Sequence, residues 1–169
     1  MFDHPVLGID PGTASVGMAI VEGTPARPTV RWCTTLRTPA GMAIGARLQR
    51  IYAGVREALD TNGAGAVALE RLMWGRNTNS AMEVSRASGV IVLAAADAGL
   101  NVEEYAPLEV KMAVTGVGNA SKEQVRRGLA QILGADAVPK EPDAADAVAV
   151  ALCHLQQSGL RRAVRESVS

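Results

Sequence analysis

Apolar positions along the 169-residue chain recur with two periods, one belonging to strands and one to helices. Residues 6–10 ("VLGID") form a short apolar run closed by Pro11-Gly12, and the run resumes over residues 16–21, which predicts a two-stranded hairpin. Residues 29–34, alternating around Trp32, predict a third strand. Between Ala40 and Asp60 the large apolar residues Ile44, Leu48, Ile51, Val55 and Leu59 fall three or four apart, giving one face of a helix packed on a sheet. Residues 66–69 read as a fourth strand, apolar on both faces and ending at Glu70.

A polar loop over residues 75–79 then leads into a helix over residues 80–98 that is rich in small side chains and stopped by Gly99. Residues 102–105 predict a fifth strand, and residues 108–114 a short helix. Ser121-Lys122-Glu123-Gln124 has the S-x-x-Q form of a capping box that opens another helix. Pro142 leads into a last helix over residues 143–157. Three antiparallel strands followed by alternating helices and strands indicate an α/β domain with a five-stranded mixed sheet flanked by helices. With no repeat and no dividing linker, residues 1–158 form one domain. Residues 159–169, with Arg161, Arg162 and Arg165, read as a basic and disordered tail.

Composition narrows this picture without naming a partner. Lysine plus arginine equals aspartate plus glutamate, so any electrostatic footprint comes from local clustering. Cys33 and Cys153 have no zinc-ligand spacing, and the first residues lack the basic and long apolar regions of a signal peptide, so a reduced, cytoplasmic protein is expected. No apolar stretch is long enough to cross a bilayer, so no membrane partner is expected.

The acids carry the chemistry. Asp10 and Glu70 both stand at C-terminal strand ends, and neighbouring parallel strands would bring them out side by side at the sheet edge where open α/β sheets place their sites. Asp143 and Asp146, in "EPDAADAVAVALCH", are three apart in the first turn of a helix and share one face, about 5–6 Å from each other. Each has an ordinary structural alternative: Asp before Pro-Gly is turn chemistry, and acids suit a helix N-terminus. Glu70 has no such capping role. Four acids from three segments would repel one another unless cations neutralised them, and oxygen-only donors select Mg²⁺ or Mn²⁺ over zinc. Two such ions roughly 3.5–4 Å apart suit phosphodiester hydrolysis.

"LGIDPGTASVG", "ALERLMWGRNTNSA", "EVKMAVTGVGNASKEQV" and "PDAADAVAVALCH" resemble, in order, the successive motifs of the RuvC-type Holliday junction resolvases, which have the RNase H-like fold. The similarity covers nearly the whole chain except the arginine-bearing tail. By this resemblance Asp10, Glu70, Asp143 and Asp146 match the four metal-binding carboxylates, with two ions per site and Asp10 shared between them. Lys111 and Lys122 match basic residues that grip DNA phosphate near the cut, and a lysine on the first turn of a helix suits a phosphate cradle. The loop after Glu70 departs from the family, which places a phenylalanine where Met73 stands here, followed by Trp74. Either Trp74 stacks on an unpaired base or Met73 acts as a softer wedge, and a tryptophan packed inward is the structural alternative. Arg76 and Asn77 beside them would reach DNA backbone or bases.

The resemblance further implies a homodimer facing a four-way DNA junction, paired symmetric nicks leaving 5′-phosphate and 3′-hydroxyl ends, and cooperation with the RuvA and RuvB branch-migration proteins. The helix over residues 80–98 is the segment expected at the dimer interface, with an intramolecular contact as the alternative. "GIDPGTASVG" also looks like the phosphate loop of actin-like ATPases and sugar kinases, but those chains need two such domains and this one is too short. A relative that binds junctions without cutting them is the remaining reading. His4 and His154 read as structural or solvent-facing.

Overall fold

The computed structural model describes residues 4–73 and 78–168, with the side chains of 78–80 and 159–168 left aside. Five strands, β1 (Val6–Asp10), β2 (Ser15–Thr24), β3 (Arg27–Arg37), β4 (Ala66–Glu70) and β5 (Val102–Tyr105), form one sheet in the order β3-β2-β1-β4-β5. The first three strands pair antiparallel, whereas β1 pairs parallel with β4 and β4 with β5, so the sheet is mixed as expected. Five helices follow in chain order: α1 (Ile44–Asn62), α2 (Thr78–Asp97), α3 (Pro107–Thr115), α4 (Lys122–Leu133) and α5 (Pro142–Val168). A short 3-10 turn, Ala135–Ala137, had no signal in the periodicity. No helix is long and apolar enough, among the described residues, to cross a membrane.

Strand alternation sorts the core into two layers with different grain. Leu7, Ile9, Val16, Met18, Ile20, Val67 and Leu69 face α1 and α2, where they meet Ile51, Val55, Leu59 and Ile91. Val6, Ala19, Val21 and Ala68 face the opposite side, against α3, α4 and α5. Large side chains fill the first layer and small ones the second. Alternation therefore turns Gly8, Asp10 and Glu70 toward α5 as well.

Small residues on that face let α5 lie unusually close to the sheet. A Cβ added at Gly8 would stand 2.2 Å from the Ala147 carbonyl oxygen, and one at Gly17 would stand 1.9 Å from the Asp143 carbonyl oxygen. Gly17 is the register partner of Asp10 across the β1–β2 ladder, so the first turn of α5 rests beside the end of β1. Ala147, Val148, Ala151 and Leu152 are buried in the contact.

Several element limits differ from the sequence expectation. Ile44 is 38% exposed, because α1 begins there and only its later turns reach the sheet. Strand β3 is longer at both ends than the pattern around Trp32, since its ladder with β2 continues through polar residues. Thr78 and Asn79, read as loop, already belong to α2, and α5 continues past Gln157 to Val168. The capping box is present as expected: the Ser121 hydroxyl accepts from the Gln124 N–H at 3.2 Å, and the Gln124 side chain accepts from the Ser121 N–H at 2.8 Å.

Replacing Gly17 by alanine must push α5 off the sheet. Gly17→Ala is expected to lower unfolding free energy by about 3 kcal/mol, as overpacking against backbone does. A urea melt checks this, and an unchanged midpoint with an unchanged slope would contradict the close approach.

Candidate active site

Parallel pairing aligns Ile9 with Leu69, so Asp10 and Glu70, one residue further on each strand, emerge together at the C-terminal edge. Helix α5 crosses above them and brings in Asp146. A cleft of about 250 Å³ is lined by Asp10, Glu70, Asp146, Lys111 and Lys122, with Pro107, Val110, Val125 and Ala149 as its apolar wall. Five of the residues expected from sequence thus meet in one place. Asp143 is half-buried and is not among the side chains that line this cleft, but it lies near enough to add its charge to Asp10 and Asp146, and its carbonyl rests against Gly17.

Electrostatics bind the acids into one group. Burial, then the charges of Glu70, Asp146 and Asp143, push the Asp10 carboxyl up to about 8. The Asp10 carboxyl also shares a hydrogen bond with Glu70, which favours protonated Asp10 as donor and charged Glu70 as acceptor. Glu70 is still raised, chiefly by burial and then by Asp146, while Lys111 and Lys122 pull the other way. Asp146 is raised by burial against the opposing pull of Lys122.

Both lysines approach from the α3–α4 side. Lys122 opens α4 and places its Nζ 3.8 Å from Asp146 Oδ2, with its own side chain 89% exposed. An ion pair that long and that wet is worth little, so the ammonium is free to turn toward an incoming anion. Lys111 projects from α3 into the same cleft.

Sequence reasoning missed the struts behind α3. The Glu109 carboxylate accepts the Ala106 N–H at 2.7 Å, accepts from Gln157 Nε2 at 3.3 Å, and stands 4.0 Å from Arg71 Nη2. Arg71 follows Glu70 directly and donates its own N–H to the Tyr105 carbonyl at 2.8 Å. Glu109 therefore caps the helix that carries Lys111, while its long, half-exposed approach to Arg71 adds little. Its only sequence signal was an acid in the first turn of a helix that begins with proline.

His154 is buried and pairs through Nδ1 with the Tyr105 hydroxyl at 3.0 Å without lining the cleft, while His4 is exposed. Met73 is 60% exposed within the connection from β4 to α2. Trp74, Arg76 and Asn77, expected to contact DNA, lie outside the described residues.

The donor set suits a hard cation, because every candidate ligand is a carboxylate oxygen. Among the described residues, however, no three acidic, histidine or cysteine side chains converge closely enough to form a finished metal cage. A divalent counter-charge among these acids would offset the repulsion that raises Asp10.

A five-stranded mixed sheet with acids at the ends of its paired β1 and β4 strands, faced by further acids on a crossing helix, defines a nuclease of the RNase H-like class. Residues 6–154 match the family model described as crossover junction endodeoxyribonuclease RuvC. The chain belongs to that RuvC family, and is a hydrolase acting on DNA. A RuvC from Moorella thermoacetica is 45% identical over 161 residues, covering 95% of this chain and 96% of that one. A second, from Natranaerobius thermophilus, is 43% identical over 92% of this chain and 97% of its own. Among solved structures, Thermus thermophilus RuvC in complex with a Holliday junction substrate superposes with a TM-score of 0.84 at 34% identity, covering 89% of this chain and 92% of that one.

A raised carboxyl pKa has a definite sign for stability. The folded state holds protons that the unfolded state has already lost, so stability falls as pH rises from the ordinary value near 3.8 to about 8. Without divalent cations, urea-derived stability should fall over that range, by at most about 1.4 kcal/mol per pH unit for each such group. Asp10→Asn should flatten the upper part of the curve and be the more stable protein at pH 8. A wild-type curve that rises from pH 5 to pH 8 would contradict the electrostatic picture.

Proposed function

We propose that the protein resolves Holliday junctions by nicking two opposing strands of like polarity at symmetric positions, in homologous recombination and DNA repair. The observation that carries this reading is the single cleft in which Asp10, Glu70 and Asp146, from three separate segments, face Lys111 and Lys122. The relative solved with a junction supports the substrate.

The carboxylates are suited to hold two Mg²⁺ or Mn²⁺ ions, which would supply an activated water and a counter-charge for the departing 3′ oxygen, leaving a 5′-phosphate. Asp10, Glu70 and Asp146 are suited to be the inner ligands, and Asp143, whose charge already acts on Asp10 and Asp146, to complete the set. Lys122 and Lys111 hold the phosphate on the open side, and the apolar wall of Val110, Val125 and Ala149 limits water to the reacting side. Met73, exposed three residues after Glu70, is suited to press on the bases, with Trp74, Arg76 and Asn77 following it in the chain.

Paired cutting calls for a homodimer, and α2 offers a face for it. Its small residues Ala87, Ala94 and Ala95 are buried within the chain against α1 and the sheet, as the intramolecular alternative had it. Its other side carries Met82, Val92 and Leu93, each at least 40% exposed. Such an unpartnered apolar stripe fits a two-fold contact between like helices. Family membership extends the reading to cooperation with RuvA and RuvB.

A four-way junction labelled on each strand in turn, incubated with Mg²⁺ or Mn²⁺, tests the proposal. Paired nicks at symmetric positions are expected, with Asp10→Asn and Asp146→Asn at least about a hundredfold slower. Junctions bound but never cut would favour a binding module. Because the chain has no net charge, affinity must rest on a local basic surface, so binding should weaken steeply between about 50 and 200 mM salt. A flat response measured by fluorescence anisotropy would count against that surface.

A further inference from the structure

The turn that carries the chain away from Asp10 is clamped from two sides. Gly12 makes it tight, since a Cβ there would stand 2.5 Å from the Ser15 carbonyl oxygen. From the β3 side, the Thr38 hydroxyl donates to the Thr13 carbonyl at 2.5 Å and the Thr38 N–H donates to the Ala14 carbonyl at 3.0 Å. From the α2 side, the Thr13 hydroxyl donates to the carboxylate of Glu83. Thr13 is only 4% exposed and Thr38 only 7%.

A hydroxyl so far from water needs a protein acceptor, and a charged acceptor gives the stronger bond. Glu83 supplies it from seventy residues away, one turn ahead of buried Ala87 on the side of α2 that packs on the core. Chain connectivity gives this contact its meaning. The strand ending in Asp10 runs into the Thr13 turn, and the strand ending in Glu70 runs through residues 71–77 into α2. Within the sheet the two strands are locked by the β1–β4 pairing; beyond it, Glu83 and Thr13 join their continuations.

We propose that Glu83 is a positioning residue for the nuclease site: through Thr13 it fixes the turn after Asp10, and so holds the Asp10 carboxylate in register with Glu70. Glu83 does not line the cleft, and its charge is absent from those that perturb Asp10, so it acts through Thr13. This assignment rests on the junction-cutting reading and adds to it a residue outside the four acids and two lysines.

The test is single-turnover cleavage of a four-way junction by full-length protein across a Mn²⁺ titration, with junction affinity in EDTA and melting temperature measured beside it. Glu83→Ala should cut about tenfold slower, with a higher Mn²⁺ concentration at half-maximal rate and junction affinity within about twofold of wild type. Glu83→Gln should recover most of the rate, because its amide oxygen can accept the same hydrogen bond. Thr13→Val, which removes the hydroxyl with little change of shape, should match Glu83→Ala, and the double variant should be no slower than either.

Glu83→Ala at the wild-type rate, a Gln variant no better than Ala, additive losses in the double variant, or a defect confined to junction affinity would each overturn the assignment. Should Glu83→Ala melt below the assay temperature, the Gln and Thr13→Val comparisons decide alone. Wild-type protein that fails to cut would instead remove the nuclease reading on which the assignment stands.

Discussion

Everything in the site depends on how closely α5 can approach the sheet. Gly8 and Gly17 leave no side chain between the strands and the carbonyls of Ala147 and Asp143, and Ala19, Ala68 and Ala151 keep the rest of that layer thin. This proximity, rather than any contact between side chains, brings the first turn of α5 across the ends of β1 and β4. The opposite face of the sheet is packed with large aliphatic residues against α1 and α2, and supplies rigidity. One layer holds the frame and the other sets the chemistry.

That arrangement works against the acids it assembles. Burial and mutual repulsion raise Asp10, Glu70 and Asp146 together, and the one cation within ion-pair distance of them in the described structure, Lys122, stands 3.8 Å from Asp146 in a wet position. A sheet and helix locked by backbone packing can carry such a group, whereas a loosely held one would relax it apart. Local rules are broken at the functional site and offset elsewhere in the fold. The struts from Glu109 and the clamp on Thr13 belong to the same economy, since each holds a segment that bears a charged cleft residue.

Much of this was legible in the sequence because it is local. Strand alternation, the three-four spacing of α1 and the Ser121 capping box depend on neighbours a few residues apart, and each appears in the structure. Asp10 and Glu70 could be placed at strand ends, and the family motifs supplied the pairing that brings them together. What was hidden is long-range or a matter of depth. Two aspartates three apart on a helix look equivalent, yet Asp146 lines the cleft while Asp143 acts on Asp10 and Asp146 through its charge. Ile44 fits the periodic face of α1 but falls before the turns that touch the sheet. Nothing in the sequence around Glu83 and Glu109 marks them out, since partners that give them a role come from segments far away in the chain.

The central claim is that α5 and the sheet hold a set of carboxylates in which Asp10 keeps a proton that a hard cation must displace. Calorimetric titration of Mn²⁺ into DNA-free protein at pH 7, repeated in two buffers of different ionisation enthalpy, measures this directly. Binding accompanied by proton release, with both weakened in Asp146→Asn, is the predicted result. Binding without proton release, or of equal strength in the variant, would contradict the account.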